Sequence, residues 1–479
     1  MKVRIGKGEI SLGVLADICG GQLFLKGLDG RAAFSYIATD SREADGETLF
    51  ATMRGERVDG HDYMEKATAL GSKVFLCERI PEGLLDSDIS FGAVIVENTE
   101  QALGRLASAY ADTIEHKTVA VTGSVGKTTT KEWIAAVLGE RYVVHKTKAN
   151  HNSTLGMPMS LLEMEERHTA SVLEMGMSGF GEISYMSKIA KPDIACITNI
   201  GTSHMEILGS RENICRAKLE ILDGLDPTGL VIANGDEILL SSLRGRGGRS
   251  VFVSIDNPEA DYRAVNIRYG EGDTTFDVVK AQGKTLADIH LCALGKPFVY
   301  GALFAIAVGF EMGMDEDAIR VGLGRFQNAA MRQNISEQNG ITIIEDCYNA
   351  SPESMRAAAD IMRTIAAQKQ GARLVALLGD MRELGENSRE FHREVGAYFA
   401  RAGLDVLLTT GELAAAIALG AAEAGMAGDS ILVFTDCEER EAIAENALRI
   451  LKKGDILLVK ASRAIGAEKT LALIREKLS

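Results

Sequence analysis

Paired cysteine motifs and long apolar runs are missing from this sequence of 479 residues. Its seven cysteines are scattered, odd in number and free of C-x-x-C spacing, which argues against a disulfide framework or a zinc cluster. No uninterrupted apolar run reaches the roughly 18 residues that a membrane-spanning helix needs. Residues 1–14 lack the apolar core of a signal peptide. We therefore expect a protein without a membrane span that stays in a reducing cytoplasm.

Positive charge is also scarce, because 52 Lys and Arg residues stand against 67 Asp and Glu residues. The resulting formal net charge of -15 would repel a polyanionic backbone. The sequence also contains no block rich in lysine or arginine with interleaved aromatic residues. These two observations exclude nucleic acid as an expected partner.

The remaining composition is that of a globular α/β protein, with 46% hydrophobic residues and 50 glycines, many of them beside short apolar runs. At about 150 residues per domain, the length predicts roughly three domains. Shifts in the hydrophobic pattern predict domains at residues 1–112, 113–325 and 326–479.

The three predicted domains differ in how strands and helices alternate. Short apolar runs separated by turns indicate a small α/β domain first. From residue 118 to about 324, strand-like runs alternate with helical patterns, as in a mostly parallel sheet, with an antiparallel extension expected over residues 234–294. A third series of apolar strands and helices predicts a Rossmann-like, doubly wound domain. Residues 322–334 are the expected hinge.

Residues 121–130, VTGSVGKTTT, carry the most specific motif. A strand leads into a turn with Gly123 and Gly126, and Lys127 and Thr128 begin a helix, so backbone N–H groups gather around an anion. Lys127 can reach terminal phosphate oxygens, and the Thr128 hydroxyl can complete a magnesium shell. The usual first glycine is Val121 here, so the loop is a shorter variant; a glycine turn without a ligand is the alternative. The residues expected to hold the nucleotide are Thr122, Gly123, Ser124, Val125, Gly126, Lys127, Thr128 and Thr129.

Glu174 and His204 each follow a predicted strand, at the edge of the sheet where ligands of α/β folds collect. Both could join Thr128 around a metal ion. Their alternative interpretations are a capping or solvated carboxylate and a histidine at a helix start. Lys218, on an amphipathic helix, is by itself most simply a solvated lysine.

Four stretches in this order resemble the Mur ligase family over nearly the whole chain: TGSVGKT at 122–128, a run at 199–222, EDCYNASPESM at 345–355 and LGDMRELGENSREFH at 378–392. The resemblance implies an amino-terminal domain for a UDP-sugar, a central P-loop ATPase domain and a carboxyl-terminal Rossmann-like domain. Within the family, ANHNSTLGMPMSLL at 149–162 and the last two stretches favour the members that add D-alanyl-D-alanine.

The resemblance also implies the reaction and its ligands. ATP would phosphorylate the terminal carboxylate of a UDP-N-acetylmuramoyl-tripeptide, and the amine of D-alanyl-D-alanine would attack the acyl phosphate. Two Mg²⁺ ions are implied, one through a carbamylated lysine. The third residue of the tripeptide is left open between diaminopimelate and lysine, and a monomer is expected. The alternatives are another Mur-type amino-acid ligase and a non-catalytic relative that binds nucleotide or muropeptide.

Site residues follow from matching the family motifs to this sequence. The implied catalytic residues are Lys127, His204, Lys218 and Asn349, and the implied metal ligands are Thr128, Glu174, His204 and Lys218. Arg332 and Asp346 match positions that hold ATP phosphate and ribose. The implied substrate contacts are Ser41, Arg42, Asn150, Asn152, Ser153, Tyr348 and Ser351. A surface ion pair is the alternative for Arg42.

One family pattern is lost. Gly-x-His-x-x-x-Asn, with the asparagine near adenine, here has Pro297 and Gly301 at its two polar positions. Loss of a polar contact to the base is expected to weaken ATP binding by about 1 to 3 kcal/mol unless another group compensates. The sequence therefore predicts altered adenine recognition with the phosphate and metal residues retained.

Overall fold

The computed structural model describes residues 1–55, 57–148, 150–245, 248–281 and 283–478. They form three α/β domains, each built on one main sheet, which confirms the predicted fold class. In these ranges no helix has both the length and the apolar character needed to cross a membrane.

The amino-terminal domain has a six-stranded sheet in the order β1-β5-β6-β7-β8-β3. Its strands are β1 (Lys2–Arg4), β2 (Ile10–Ser11), β3 (Gln22–Lys26), β4 (Ala33–Phe34), β5 (Tyr36–Ala38), β6 (Thr48–Ala51), β7 (Val74–Cys77) and β8 (Phe91–Ile95). Its helices are α1 (Leu12–Cys19), α2 (Met64–Ala69), α3 (Glu82–Asp86) and α4 (Thr99–Ala111). Strands β5 to β8 are parallel, and the two edge strands are antiparallel to their neighbours.

The central domain has nine strands in the order β10-β11-β9-β12-β13-β14-β15-β16-β17. They are β9 (Lys117–Thr122), β10 (Val144–Lys146), β11 (Ala170–Glu174), β12 (Ile194–Ile197), β13 (Leu230–Asn234), β14 (Arg249–Ser254), β15 (Tyr262–Tyr269), β16 (Thr274–Lys280) and β17 (Thr285–Leu291). The helices are α5 (Lys127–Leu138), α6 (Gly156–Leu162), α7 (Glu182–Ala190), α8 (Met205–Leu208), α9 (Arg211–Leu219), α10 (Lys296–Glu311) and α11 (Glu316–Gly324).

The expected antiparallel extension is confirmed only in part. Strands β15, β16 and β17 are antiparallel, but β14 continues the parallel sheet beside β13. Strand β9 is buried on both faces, as its unbroken apolar run predicts, because helices cover both sides of a parallel sheet. The loop that carries Lys127 therefore leaves the sheet from a buried strand, β9, which lies between β11 and β12.

The carboxyl-terminal domain has the sheet order β18-β19-β23-β20-β21-β22, in which only β18 is antiparallel. Its strands are β18 (Asn334–Gln338), β19 (Ile341–Asp346), β20 (Leu374–Gly379), β21 (Val406–Thr410), β22 (Ile431–Phe434) and β23 (Ile456–Lys460). Its helices are α12 (Pro352–Ala366), α13 (Ser388–Arg401), α14 (Ala415–Glu423), α15 (Arg440–Ile450) and α16 (Ala467–Lys477). This is the predicted doubly wound arrangement.

Contacts between the domains fix their arrangement. The Tyr110 hydroxyl of α4 donates to the carbonyl of Met164 at 2.5 Å, which joins the amino-terminal domain to the central one. On the other side, Phe326 in the connection to the third domain stacks on the buried Trp133 of α5, with ring centroids 3.7 Å apart. The domain limits at residues 112 and 325 stay predictions, as does the hinge.

Candidate active site

The phosphate loop has the geometry that its glycines predict. Gly123 has φ 151°, and a side chain there would lie 1.9 Å from the Thr198 hydroxyl oxygen, so only glycine fits. Gly126 has φ 81° and precedes the first residue of α5. The N–H groups of the first turn of a helix have no partner within the helix and are available to an anion.

Part of the loop is held by the protein itself. The backbone N–H groups of Ser124 and Val125 donate to Oδ1 of Asn199, at 3.0 and 2.9 Å. Thr122 is buried, and its hydroxyl donates to the carbonyl of Met175 at 2.9 Å. Among the predicted nucleotide contacts, Thr122 is therefore a supporting residue of the loop, whereas the start of α5 is open to a ligand.

Lys127 folds back over the loop. Its ammonium donates to the carbonyl of Gly123 at 2.8 Å, and that of Ser124 lies 3.4 Å away. Desolvation lowers the pKa of the Lys127 ammonium, and the neighbouring Glu174 carboxylate opposes that shift. A phosphate at the loop would replace carbonyl dipoles with a full negative charge, which favours the charged lysine.

Glu174 is the centre of a buried network at the end of β11. Its Oε2 accepts a hydrogen bond from the Thr128 hydroxyl at 2.8 Å, and its Oε1 accepts one from the Asn152 amide at 2.8 Å. The alternative of a solvated carboxylate is excluded, because Glu174 is only 1% exposed. The structure thus brings together two predicted metal ligands and one predicted substrate contact.

His204 directly precedes α8 with φ 64°, a left-handed conformation that is uncommon outside glycine. Its Nδ1 lies 2.6 Å from Oε2 of Glu383, which belongs to the carboxyl-terminal domain. The closeness of the His204 ring lowers the pKa of the Glu383 carboxyl. His204 therefore lies at the start of a helix, as its alternative interpretation predicted. The sequence did not indicate the contact with Glu383 of the third domain.

Lys218 lies on α9 and is 1% exposed, so the simple interpretation as a solvated lysine is wrong. Within the described ranges no side chain forms an ion pair with its ammonium. Desolvation, reinforced by the charge of Lys127, holds its pKa well below the ordinary value for lysine. This shift favours the neutral amine, which is the form that reacts with CO₂.

The carboxyl-terminal domain contributes a second wall. The Arg332 guanidinium lies over the ring of Tyr348, 4.0 Å from its centroid, and is flanked by Met331 and Gln333 in left-handed conformations. Such positions cost of order 1 to 3 kcal/mol each and persist where the surroundings impose them. The strained connection therefore presents Arg332 to the cavity in a fixed orientation.

Asp346 ends β19 and is paired with a buried lysine. The ammonium of Lys460, at the end of β23, donates to Oδ2 of Asp346 at 2.6 Å and to the carbonyl of Asn349 at 3.0 Å. The Ser351 hydroxyl accepts a hydrogen bond from the N–H of Ser354 and so caps α12. This structural role explains why Ser351 is buried. Ribose, catalytic and substrate roles for these residues stay predictions.

One cavity of about 1090 Å³ lies between the central and carboxyl-terminal domains. The predicted site residues that line it are Ser124, Val125, Gly126, Lys127, Thr128, Thr129, Asn152, Ser153, Glu174, His204, Arg332, Asp346, Tyr348, Asn349 and Ser351. The predicted residues outside its lining are Ser41, Arg42, Thr122, Gly123, Asn150 and Lys218. Most of the predicted nucleotide and reaction-centre residues therefore share one space.

The predicted uridine contacts lie apart from this cavity, in the amino-terminal domain. Ser41 is buried, whereas the exposed Arg42 forms an ion pair with Asp40, 2.5 Å between Nη2 and Oδ2. The surface ion pair named as the alternative for Arg42 is therefore present. Asn150 is exposed and lies outside the cavity lining.

The lost adenine pattern has a packing explanation. A side chain at Gly301 would lie 2.5 Å from the indole of Trp133, so the ring fills the space that an asparagine would need. Pro297 lies in the first turn of α10, where its missing N–H removes no helical hydrogen bond. Tyr300, the residue before Gly301, lines the cavity. Its hydroxyl donates to Oδ2 of Asp236 at 2.7 Å.

The sequence analysis predicted no role for four residues that lie in or beside this site: Lys131, Asn199, Glu383 and Lys460. Only Asn199 and Lys460 had a local signal, because each follows or ends a predicted strand at the functional edge of its sheet. The contacts of Lys131 with Glu174, and of Glu383 with His204, join segments that are distant in the sequence.

The donor atoms suit a magnesium ion bound with a nucleotide. Glu174 and Thr128 offer two oxygen atoms side by side, which a hard cation prefers. Across the described part of the chain, no group of three His, Cys, Asp or Glu side chains is placed to hold a metal ion alone. Mg²⁺ commonly takes one or two carboxylates and completes its shell with phosphate oxygens and water, so the set fits.

The fold and the cavity define the class: a three-domain α/β protein whose central domain has a glycine loop that opens helix α5 at the cavity. Three family models match the chain: "Mur ligase family, catalytic domain" at residues 33–111, "Mur ligase middle domain" at 121–309 and "Mur ligase, glutamate ligase domain" at 324–463. The chain belongs to the Mur ligase family and is a ligase.

Named relatives cover nearly the whole chain. The UDP-N-acetylmuramoyl-tripeptide–D-alanyl-D-alanine ligase of Bacillus subtilis is 39% identical over 446 residues, 92% of this chain and 94% of that enzyme. A crystal structure of MurF from Acinetobacter baumannii has TM-score 0.88 and 30% identity, covering 98% of this chain and 100% of that one. MurF from Thermotoga maritima, solved in complex with ADP, has TM-score 0.81 and 28% identity, covering 92% and 97%.

Proposed function

We propose that this chain joins D-alanyl-D-alanine to UDP-N-acetylmuramoyl-tripeptide at the expense of ATP. The observation that carries the proposal is that two loops line the same cavity. The loop that carries Lys127 lies on one wall, and the Tyr348–Asn349 loop of the third domain lies on another. ATP is supported by this loop and by the ADP complex of the similar Thermotoga maritima enzyme. The proposed product is the UDP-muramoyl-pentapeptide used for peptidoglycan.

The chemistry needs the cations of this cavity. A carboxylate is a poor electrophile, and its own charge repels the triphosphate that would activate it. Lys127 and Arg332 line the cavity from its two walls and would neutralise the terminal phosphoryl group while the carboxylate oxygen bonds to phosphorus and ADP leaves. The uncharged amine of the dipeptide then attacks the acyl phosphate carbonyl, and the tetrahedral intermediate releases phosphate and a proton to give the amide.

The proposed metal residues have distinct tasks. Thr128 and Glu174 would hold one Mg²⁺ through hydroxyl and carboxylate oxygens, and His204 and a carbamylated Lys218 would contribute to a second. When bound, these ions supply positive charge that makes phosphoryl transfer between two anions possible. Asn152 keeps Glu174 in place, and Glu383 does the same for His204 from the third domain.

Domain roles follow the same proposal. Residues 1–112, with Ser41 and Arg42, would bind the UDP-sugar, residues 113–325 would bind ATP, and residues 326–479 would deliver the incoming amine. Asn150 and Ser153 would contact the sugar or peptide, and Asp346 the ribose. Asn349, Tyr348 and Ser351 would lie near the reacting groups. A cytoplasmic location and a monomeric state stay predictions.

Phosphate release in the presence of each candidate amine tests the function directly. With ATP, Mg²⁺ and the UDP-muramoyl-tripeptide, we expect sustained release only when D-alanyl-D-alanine is added, because the acyl phosphate turns over only when an amine consumes it. Single amino acids serve as the matched controls. Sustained release with L-lysine or D-glutamate, and none with the dipeptide, would instead favour another amino-acid ligase.

A further inference from the structure

Lys131 lies one helical turn after Lys127 on α5, but it does not line the cavity. It is 1% exposed, although lysine is one of the residues that are almost never fully buried without a partner. Its ammonium donates to the carbonyl of Thr147 at 2.7 Å. The buried position therefore needs an explanation in terms of the charges around it.

Two carboxylates face this ammonium. Oε1 of Glu132 lies 3.2 Å away and Oε2 of Glu174 lies 3.8 Å away. Glu132 is partly exposed and has a second cation, the ammonium of Lys146, as a partner. Glu174 is 1% exposed, and Lys131 is the cation that forms an ion pair with it in the described ranges.

We infer that Lys131 is a positioning residue that holds the Glu174 carboxylate, and the end of the strand that carries it, in place at the cavity. The inference rests on the proposed metal role of Glu174. Thr128 and Asn152 each donate a neutral hydrogen bond to this carboxylate, and Lys127 is a second cation near it, on the cavity wall. Lys131 adds an ion pair to these hydrogen bonds from the side away from the cavity, and this contact helps to fix the carboxylate where a metal ion would bind.

The geometry also fixes where Lys131 acts. Thr147 accepts from Lys131 through its carbonyl, and its hydroxyl accepts from the N–H of Glu174 at 3.0 Å. Lys131 therefore anchors both the side chain and, through Thr147, the strand end that carries Glu174. Because it does not reach the cavity, it affects metal binding without contacting nucleotide or substrate.

The test is Mn²⁺ binding to the full chain in the presence of ADP, followed by electron paramagnetic resonance. Lys131→Gln can keep a hydrogen bond to Thr147 but loses the charge. We expect the Mn²⁺ dissociation constant to rise about tenfold, as for other residues that support a metal ligand. At saturating Mn²⁺, kcat should return to within a few-fold of the parent. Glu132→Gln, which removes the other carboxylate partner, is the matched control and should leave Mn²⁺ affinity unchanged.

A double-mutant cycle in urea without metal guards against a general folding defect. Lys131→Gln should lower the unfolding midpoint in the parent and have a smaller effect in a Glu174→Gln background, because the ion pair with Glu174 is then already lost. Additive effects of the two substitutions, or parental Mn²⁺ affinity in Lys131→Gln, would overturn the inference about Lys131 and leave the proposed function standing. Parental Mn²⁺ affinity in Glu174→Gln would overturn the metal assignment of the proposed function together with it.

Discussion

Replacing Lys127 by alanine is expected to lower ATP-dependent ligation by at least about 10² to 10³-fold, as loss of one preorganised charge-stabilising group does. The lysine is the cation of the phosphate loop, and its ammonium is held 2.8 Å from the loop carbonyl of Gly123. Its structural bonds are only to loop carbonyls, so the fold should survive. Phosphate release under saturating substrates measures the loss.

Binding of the UDP-sugar to the same variant separates a local effect from misfolding. Affinity should be close to that of the parent, because the predicted uridine contacts lie in the amino-terminal domain. Lys117→Ala is the control: it removes an exposed lysine from the other end of the same strand, β9, where it pairs with Asp193 at 2.7 Å. Ligation at the parental rate by Lys127→Ala would show that the loop does not serve the terminal phosphate.

Lys218→Ala is expected to lose about 10²-fold or more of the activity, because it removes the proposed carbamate from the metal site. Burial holds the pKa of this ammonium well below the usual range, which favours the neutral amine that adds CO₂. With ¹³C-labelled bicarbonate, NMR of the parent should show one protected carbamate resonance that is absent from Lys218→Ala.

The control for this experiment is Lys188→Ala, which changes an exposed lysine on the neighbouring helix α7 and should keep both the resonance and the activity. Removing CO₂ from the buffer should reduce the parent's activity and leave the residual activity of Lys218→Ala unchanged. A parent that works at full rate without CO₂, and without a carbamate resonance, would contradict the modification.

The apolar strands of the three sheets were predictable because parallel strands buried on both faces need unbroken runs of apolar residues. β9, β20 and β23 are examples. Edge strands were harder to predict: β18 alternates between half-buried and exposed residues and has one apolar residue, the exposed Ile335, and β10 has only three residues. Their pairing depends on neighbours that the local pattern does not contain.

The phosphate loop was predictable from local residues, since its glycines and lysine are consecutive in the chain. The burial of Lys218 was not, because an isolated lysine on an amphipathic helix is most simply solvent-exposed; only the family resemblance pointed to it. The contacts of Lys131 with Glu174, and of Glu383 with His204, join segments far apart in sequence. Such pairs arise from tertiary packing, which sequence spacing does not encode.

Transfer of an oxygen atom tests the central claim most directly. A UDP-muramoyl-tripeptide with ¹⁸O in its terminal carboxylate is incubated with ATP, Mg²⁺, D-alanyl-D-alanine and the protein, and the released phosphate is analysed by mass spectrometry. If the carboxylate is activated as an acyl phosphate, one ¹⁸O atom appears in each phosphate formed from fully labelled substrate. Amide formation with unlabelled phosphate would contradict the account.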